Sequence, residues 1–196
     1  MAPARTTYCL DVDMPPPDPP HPQTILDAVS AALEDLVQRD EKLLHYKAHE
    51  LAHVHRFAVY LERRLRNQLE NWSVTIDMDY DRAGEREKGW RGLPPRPDRN
   101  PGNCFRPDVI IHHRGDDDKN LLALEWKKNE SEAGIDLLQE RLACIKARYE
   151  YALGVIVNSY RDRVEWCTVE HERNPLVWCI IRCPEVGDGA SVADVR

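Results

Sequence analysis

Two apolar, strand-forming stretches flank the polar turn Arg114-Gly115-Asp116-Asp117-Asp118-Lys119, and this pattern constrains the fold more than any other feature. The first arm is Phe105-Arg106-Pro107-Asp108-Val109-Ile110-Ile111-His112-His113 and the second is Asn120-Leu121-Leu122-Ala123-Leu124-Glu125-Trp126-Lys127. A hairpin folded about the middle of the turn sets His113 opposite Asn120 and, counting outward, Asp108 opposite Glu125. Side chains alternate along a strand, so Lys127 shares a face with Glu125, while Val109, Ile111, Leu122, Leu124 and Trp126 occupy the other. A slip of one residue would send every side chain of one arm to the wrong face.

Two carboxylates facing each other across strands repel, and burying them uncompensated costs several kcal/mol. A divalent cation reverses that penalty. Magnesium prefers carboxylate and water oxygens and keeps several waters, one of which can serve as a nucleophile. A lysine beside it can orient such a water, help deprotonate it, or neutralise charge on a phosphate.

Pro107-Asp108 followed by Glu125-Trp126-Lys127 resembles the motif of the PD-(D/E)XK nuclease superfamily, whose fold is restriction-endonuclease-like. The short motif is weak by itself; the apolar strand around each half and the register that pairs them raise its specificity. By element order the resemblance covers about residues 45 to 160. It implies an α/β domain with a mixed sheet flanked by helices, and Mg2+, with Mn2+ able to substitute, held by Asp108 and Glu125. The backbone carbonyl of Trp126 is implied as a further ligand. The plain alternative is a charged surface hairpin with no active site.

The family pattern also asks for an acidic residue on a helix ahead of the sheet. At 100° per residue, Val54, Phe57, Leu61 and Leu65 lie within roughly 60° of Glu50, whereas Glu62 lies about 120° away. Glu50 is therefore the expected third acid, the alternative being a helix-flanking ion pair. His53 and His55 read as a solvated histidine face. His112 reads as a residue of the core or of the turn's end, with substrate contact as the other reading. Asp77 and Asp79 share one face of the strand expected over 73–80 and read as solvent-facing acids. Gln139 stands where the family's following helix often contributes a glutamine or a basic residue; an exposed helical glutamine is the alternative.

Around this core the chain reads as two helical segments from Gln23 to about Leu69, with Ile25, Leu26, Val29, Leu33 and Leu36 as a stripe in the first. Strand one and the loop 81–104 precede the hairpin. A helix with Ile135, Leu138, Leu142 and Ile145 at its spacing follows, then strands over 153–158, 164–169 and 176–181. The crossover from the hairpin through that helix suits a mixed sheet.

A formal charge of −7 is awkward for a nucleic-acid enzyme, because phosphate affinity comes largely from lysine and arginine displacing counterions. Between Asp81 and Arg106, however, basic residues exceed acids by three. Arg82, Arg91, Arg96 and Arg106 are the expected backbone contacts there, with Trp90 available to stack on a base. A solvated loop is the equal alternative.

With 196 residues and 42% hydrophobic content, one core is expected. The domain reads as 24–186. The first 23 residues hold seven prolines and read as an extended tail, and 187–196 as a C-terminal tail. No signal-peptide pattern or membrane-length apolar run appears, so a cytosolic protein is expected. The six cysteines include no Cys-x-x-Cys pair and read as small apolar fillers. Cys167, His171, Cys179 and Cys183 have spacings that zinc can use, but the strand-like residues between Cys179 and Cys183 argue against it.

The functional expectation is a Mg2+-dependent nuclease that hydrolyses phosphodiester bonds, with DNA as the substrate. Its catalytic residues would be Asp108, Glu125, Lys127 and Glu50. A homodimer or larger complex would let such an enzyme cut both strands. The other readings are an RNA-cleaving nuclease and a nuclease-like fold that has become a binding or regulatory protein.

Overall fold

The computed structural model describes residues 20–46, 48–79, 106–115, 119–170 and 175–184, together with the backbone of 82–83 and 86–87. The elements in chain order are α1 (Pro22–Arg39), α2 (Glu41–His45), α3 (Glu50–Trp72), β1 (Thr75–Met78), β2 (Arg82–Ala83), β3 (Arg86–Glu87), β4 (Val109–His112), β5 (Leu122–Lys128), α4 (Glu132–Arg148), β6 (Leu153–Ser159), β7 (Arg163–Thr168) and β8 (Cys179–Arg182). Six strands form one sheet in the order β1-β4-β5-β6-β7-β8. Among the described strands only β5 and β6 pair in parallel, which α4 makes possible by carrying the chain from one end of the sheet back to the other.

The hairpin has the register read from the sequence: Val109 opposes Leu124, Ile110 opposes Ala123 and Ile111 opposes Leu122. Asp108 sits one residue before β4. Alternation splits the hairpin between two cores. Val109, Ile111, Leu122, Leu124 and Trp126 pack with α1 and α3 on one face. Ile110 and Ala123 pack with Ile135, Leu138 and Leu142 of α4 on the other. The sheet is thus covered on both faces by helices, as an α/β layer architecture requires.

The helices form where their apolar spacing says they should. Ile25, Val29, Leu33 and Leu36 of α1 are fully buried, as are Phe57 and Leu61 of α3. Histidine caps two of the N-termini: His21 Nδ1 accepts from the Gln23 N–H, and His49 Nδ1 from the Leu51 N–H. Ser131 caps α4 through the Gly134 N–H. At Gly154, α4 lies so close over β6 that an added Cβ would come within 3.3 Å of Leu142 Cγ.

Several expectations need correction. The segment read as two helices contains three, because the short α2 interrupts it. Part of the segment read as a loop after β1 pairs as β2 with β3. Strand β8 starts at Cys179, three residues later than the apolar run suggested. His53 is 1% exposed rather than solvated, since α2 covers it and the Leu43 carbonyl meets its Nε2 at 3.1 Å. Asp77 is not solvent-facing: His112 Nε2 approaches its Oδ2 at 2.9 Å, and Arg114 folds back onto the same carboxylate. Gln139 is buried, not an exposed helical residue. Among the described residues no helix is long and apolar enough to cross a membrane.

Candidate active site

Three elements bring four of the expected residues to one point. Glu125 and Lys127 project from the same face of β5, Asp108 comes from the residue before β4, and Glu50 from the first turn of α3. The Lys127 ammonium lies 2.8 Å from Glu125 Oε1 and 3.6 Å from both Asp108 Oδ2 and Glu50 Oε1. It also donates to the Trp126 carbonyl at 2.5 Å. Burial is graded across the cluster: the Glu125 side chain is 7% exposed and that of Glu50 33%. Glu50 thus lies on the α3 face that Val54, Phe57, Leu61 and Leu65 bury, where helical spacing had set it, and as the first residue of the helix it meets the site at its more open end.

The backbone holding this cluster is locked into the core. Trp126, between the two charged members of β5, is fully buried. Its ring lies 5.6 Å from that of Phe57, and its Nε1–H donates to Ser159 Oγ at 3.0 Å. Its main-chain N–H donates to Asp108 Oδ2 at 2.6 Å, so β5 orients the carboxylate of the neighbouring strand. Lys128 Nζ donates to the Ala48 carbonyl at 2.8 Å and ties β5 to the residues just ahead of Glu50.

The electrostatics follow from crowding. Burial pushes the Asp108 carboxyl above the usual carboxylate range, against the opposing pull of Lys127 and of the Trp126 N–H. Burial also works against the Lys127 ammonium, but Glu125, Asp108 and Glu50 outweigh it and raise its pKa above that of an ordinary lysine. Lys127 is therefore charged at neutral pH, and the cluster carries two negative charges in excess when all three carboxyls are ionised.

Among the described residues, no group of three or more His, Cys, Asp and Glu side chains is arranged to hold a metal ion as the side chains stand. The Lys127 ammonium lies within 3.6 Å of one oxygen of each of the three carboxylates. The donor set itself, three carboxylates and a carbonyl, is the all-oxygen chemistry that a hard divalent cation takes. Asp108, Glu125, Glu50 and the Trp126 carbonyl thus fit magnesium or manganese in kind.

The remaining expected residues do not join this cluster. Arg106 is exposed and lies 3.8 Å from Asp79. Arg82 falls in β2, where the backbone alone is described, and Arg91 and Arg96 lie outside the described residues. Gln139 lines a cleft beside α4 with Glu130, Asn158, Tyr160 and Trp178. His171 is likewise outside the described residues. Cys167 is buried and its thiol is pushed up to about 12 by that burial, the behaviour of an inert core thiol.

Sequence reasoning missed Ser159 and His53. Ser159 Oγ bonds the Trp126 indole and the Lys127 carbonyl and meets His53 Nδ1 at 3.3 Å. No periodicity marks a serine at the end of a buried strand, so only the pairing of Lys128 with Ser159 reveals its place.

No protein-family model matches the chain, and no curated protein matches it. Among solved structures, the crystal structure of SSO0001 aligns at 17% identity over 76% of this chain and 76% of its own, with a TM-score of 0.28. A likeness that loose carries no argument for fold or activity.

Proposed function

We propose that this chain is a metal-dependent nuclease of the PD-(D/E)XK type, with a restriction-endonuclease-like fold and DNA as its substrate. The observation that carries the reading is the convergence of Glu50, Asp108 and Glu125, from three separate elements, within 3.6 Å of one lysine ammonium. A purely structural ion pair needs one carboxylate; three around one lysine leave an excess of negative charge that a divalent cation would offset.

Asp108, Glu125, Glu50 and the Trp126 carbonyl are the oxygens that would hold Mg2+ or Mn2+. When bound, the ion supplies Lewis-acid polarisation of the phosphodiester and a lowered pKa for water. The protein's own residues supply position and charge. The Trp126 N–H fixes Asp108, and the buried indole fixes the strand that carries Glu125 and Lys127. Lys127, set among three carboxylates, can donate hydrogen bonds and neutralise developing charge.

The test is incubation of the full chain with supercoiled plasmid and Mg2+ or Mn2+, alongside Lys127→Ala and Asp108→Asn. Nicking or linearisation that both substitutions abolish supports the reading. Cleavage that survives both would assign it to another site or a contaminant. Calorimetric titration with Mn2+ that shows no binding would favour the alternative, a nuclease-like fold used for binding or regulation, and RNA run in parallel separates the two nucleic acids.

A further inference from the structure

The second half of α3 presents a recess of about 460 Å³ lined by Arg63, Arg64, Arg66, Asn67 and Gln68. Three guanidinium groups at one place are conspicuous in a chain whose formal charge is −7. The ion pairs formed do not use all three, although Glu62 and Glu70 stand four residues before and after Arg66 on the helix. Arg64 pairs with Asp35, which Arg39 also holds, so that carboxylate serves two guanidinium groups. Glu62 and Glu70 are exposed on the same helix, yet among the described residues neither Arg63 nor Arg66 forms an ion pair with a carboxylate. The Arg63 guanidinium carbon rests 5.7 Å from the centre of the Tyr60 ring, a cation–π contact that leaves it without a carboxylate partner among the described residues.

We infer that this recess is an anion site that grips the sugar–phosphate backbone of a nucleic acid at a distance from the reaction centre. The inference rests on the proposed nuclease reading for the identity of the ligand. Arginine's planar fork matches phosphate oxygens in pairs, and the Asn67 and Gln68 amides add neutral donors of the kind that accompany such contacts. The lining contains no apolar side chain, whereas a surface that binds membranes needs apolar residues to enter the headgroup layer. Charge complementarity with an extended polyanion is what the recess offers.

Its position sets a length requirement. Arg63 lies thirteen residues beyond Glu50 on one helix, about 20 Å along the axis at 1.5 Å per residue and about 140° around it at 100° per residue, so a backbone that reaches both must also pass around α3. Phosphates on one strand of a duplex repeat at about 3.4 Å, so a substrate that occupies both places extends at least about six base pairs from the reaction centre. This surface gives a chain of net negative charge a source of phosphate affinity separate from the segment 81–106.

The experiment measures anisotropy of a labelled duplex of about 30 base pairs, without divalent ions so that nothing is cut, across a salt titration. Wild type, the double substitution Arg63→Glu with Arg66→Glu, and the double substitution Arg63→Lys with Arg66→Lys are compared. Charge reversal is expected to weaken binding by about 10-fold or more. Loss of two phosphate contacts lowers the slope of log K against log salt by about 1.8. The lysine variant keeps most of the affinity and most of the salt slope, since it keeps both charges. With Mg2+ present, charge reversal raises KM for long duplexes and leaves kcat at saturation unchanged. It has no effect on duplexes too short to span the two places. Equal affinity and slope in wild type and the charge-reversed variant overturn the inference, as does tighter binding to phosphatidylserine vesicles than to DNA. Salt-dependent binding that needs Arg63 and Arg66, in a protein that never cleaves, overturns the nuclease reading and leaves this site standing.

Discussion

The main-chain N–H of Trp126 donates to Asp108 Oδ2 at 2.6 Å, joining the two halves of the motif across the hairpin. The β4–β5 register, in which Val109 opposes Leu124, carried one residue further sets Asp108 beside Glu125 and so brings its carboxylate to the next peptide along β5. The bond fixes one oxygen and presents the carboxylate to Lys127.

Asp108→Asn separates that structural role from the chemical one. The amide oxygen still accepts from Trp126, so the melting temperature should stay within a few degrees of wild type. The lost charge should reduce cleavage by on the order of 100-fold. Asp108→Ala removes the acceptor as well and should destabilise the fold by about 1 to 3 kcal/mol through the unsatisfied N–H. Denaturant titration and plasmid cleavage on both variants check this; an active Asp108→Asn enzyme would remove Asp108 from the chemistry.

Lys127→Ala leaves Glu50, Asp108 and Glu125 facing one another without the ammonium between them. Breaking a fully buried pair costs about 3 to 5 kcal/mol. The partial exposure of Asp108 and Glu50 reduces this to about 1 to 3 kcal/mol. Millimolar Mg2+ should restore much of that loss, because a cation takes the place the ammonium had, and should stabilise the variant more than wild type. Thermal melts with and without Mg2+ measure both effects. Equal melting temperatures under all four conditions would mean that the carboxylates do not share a site.

The hairpin, its register and the two motif halves were legible in the sequence because strand alternation and a polar turn leave one solution for Val109 to His112 against Leu122 to Lys128. Glu50 was legible because its spacing with Val54, Phe57, Leu61 and Leu65 set it on the buried face of α3, but spacing could not say that His49 caps the helix and leaves Glu50 in its partly open first turn. His53 and Asp77 were misread because partners distant in sequence decide their burial. Leu43, ten residues before His53, covers the histidine, and Arg114, from the hairpin turn, covers the aspartate. The pairing of α2 with α3 and the path of a turn are tertiary facts with no local periodicity.

Asp77 gives a pH dependence with a defined sign. The Arg114 guanidinium, opposed by burial and assisted by His112, holds its carboxyl at about 2, below the ordinary value of 3.8. A carboxyl depressed on folding stabilises the native state above its unfolded pKa, and that contribution is lost as pH falls from about 4 through 2. Discounted for the exposed Arg114 partner, it amounts to about 1 to 2 kcal/mol. Asp77→Asn should flatten the stability profile between pH 5 and 2 as followed by urea unfolding. A variant that keeps the wild-type acid slope would show that other carboxylates cause it.

Ser159 is a positioning residue for the Trp126-Lys127 segment, and its hydrogen bonds make the role testable. Its Oγ accepts from Trp126 Nε1 at 3.0 Å and faces two acceptors, the Lys127 carbonyl at 3.2 Å and His53 Nδ1 at 3.3 Å. The Leu43 carbonyl can only accept, so the proton of a neutral His53 lies on Nε2 and leaves Nδ1 an acceptor. Burial lowers the His53 pKa and keeps the ring in this neutral form. One hydroxyl proton thus serves β5 and α3 together. Ser159→Ala strands the indole N–H and both acceptors, and should cost about 1 to 3 kcal/mol in denaturant. Because the loosened strand carries Glu125 and Lys127, kcat should fall by about 10-fold with KM little changed. Destabilisation with kcat intact would confine Ser159 to the core; loss of kcat without destabilisation would place its hydroxyl in contact with substrate instead.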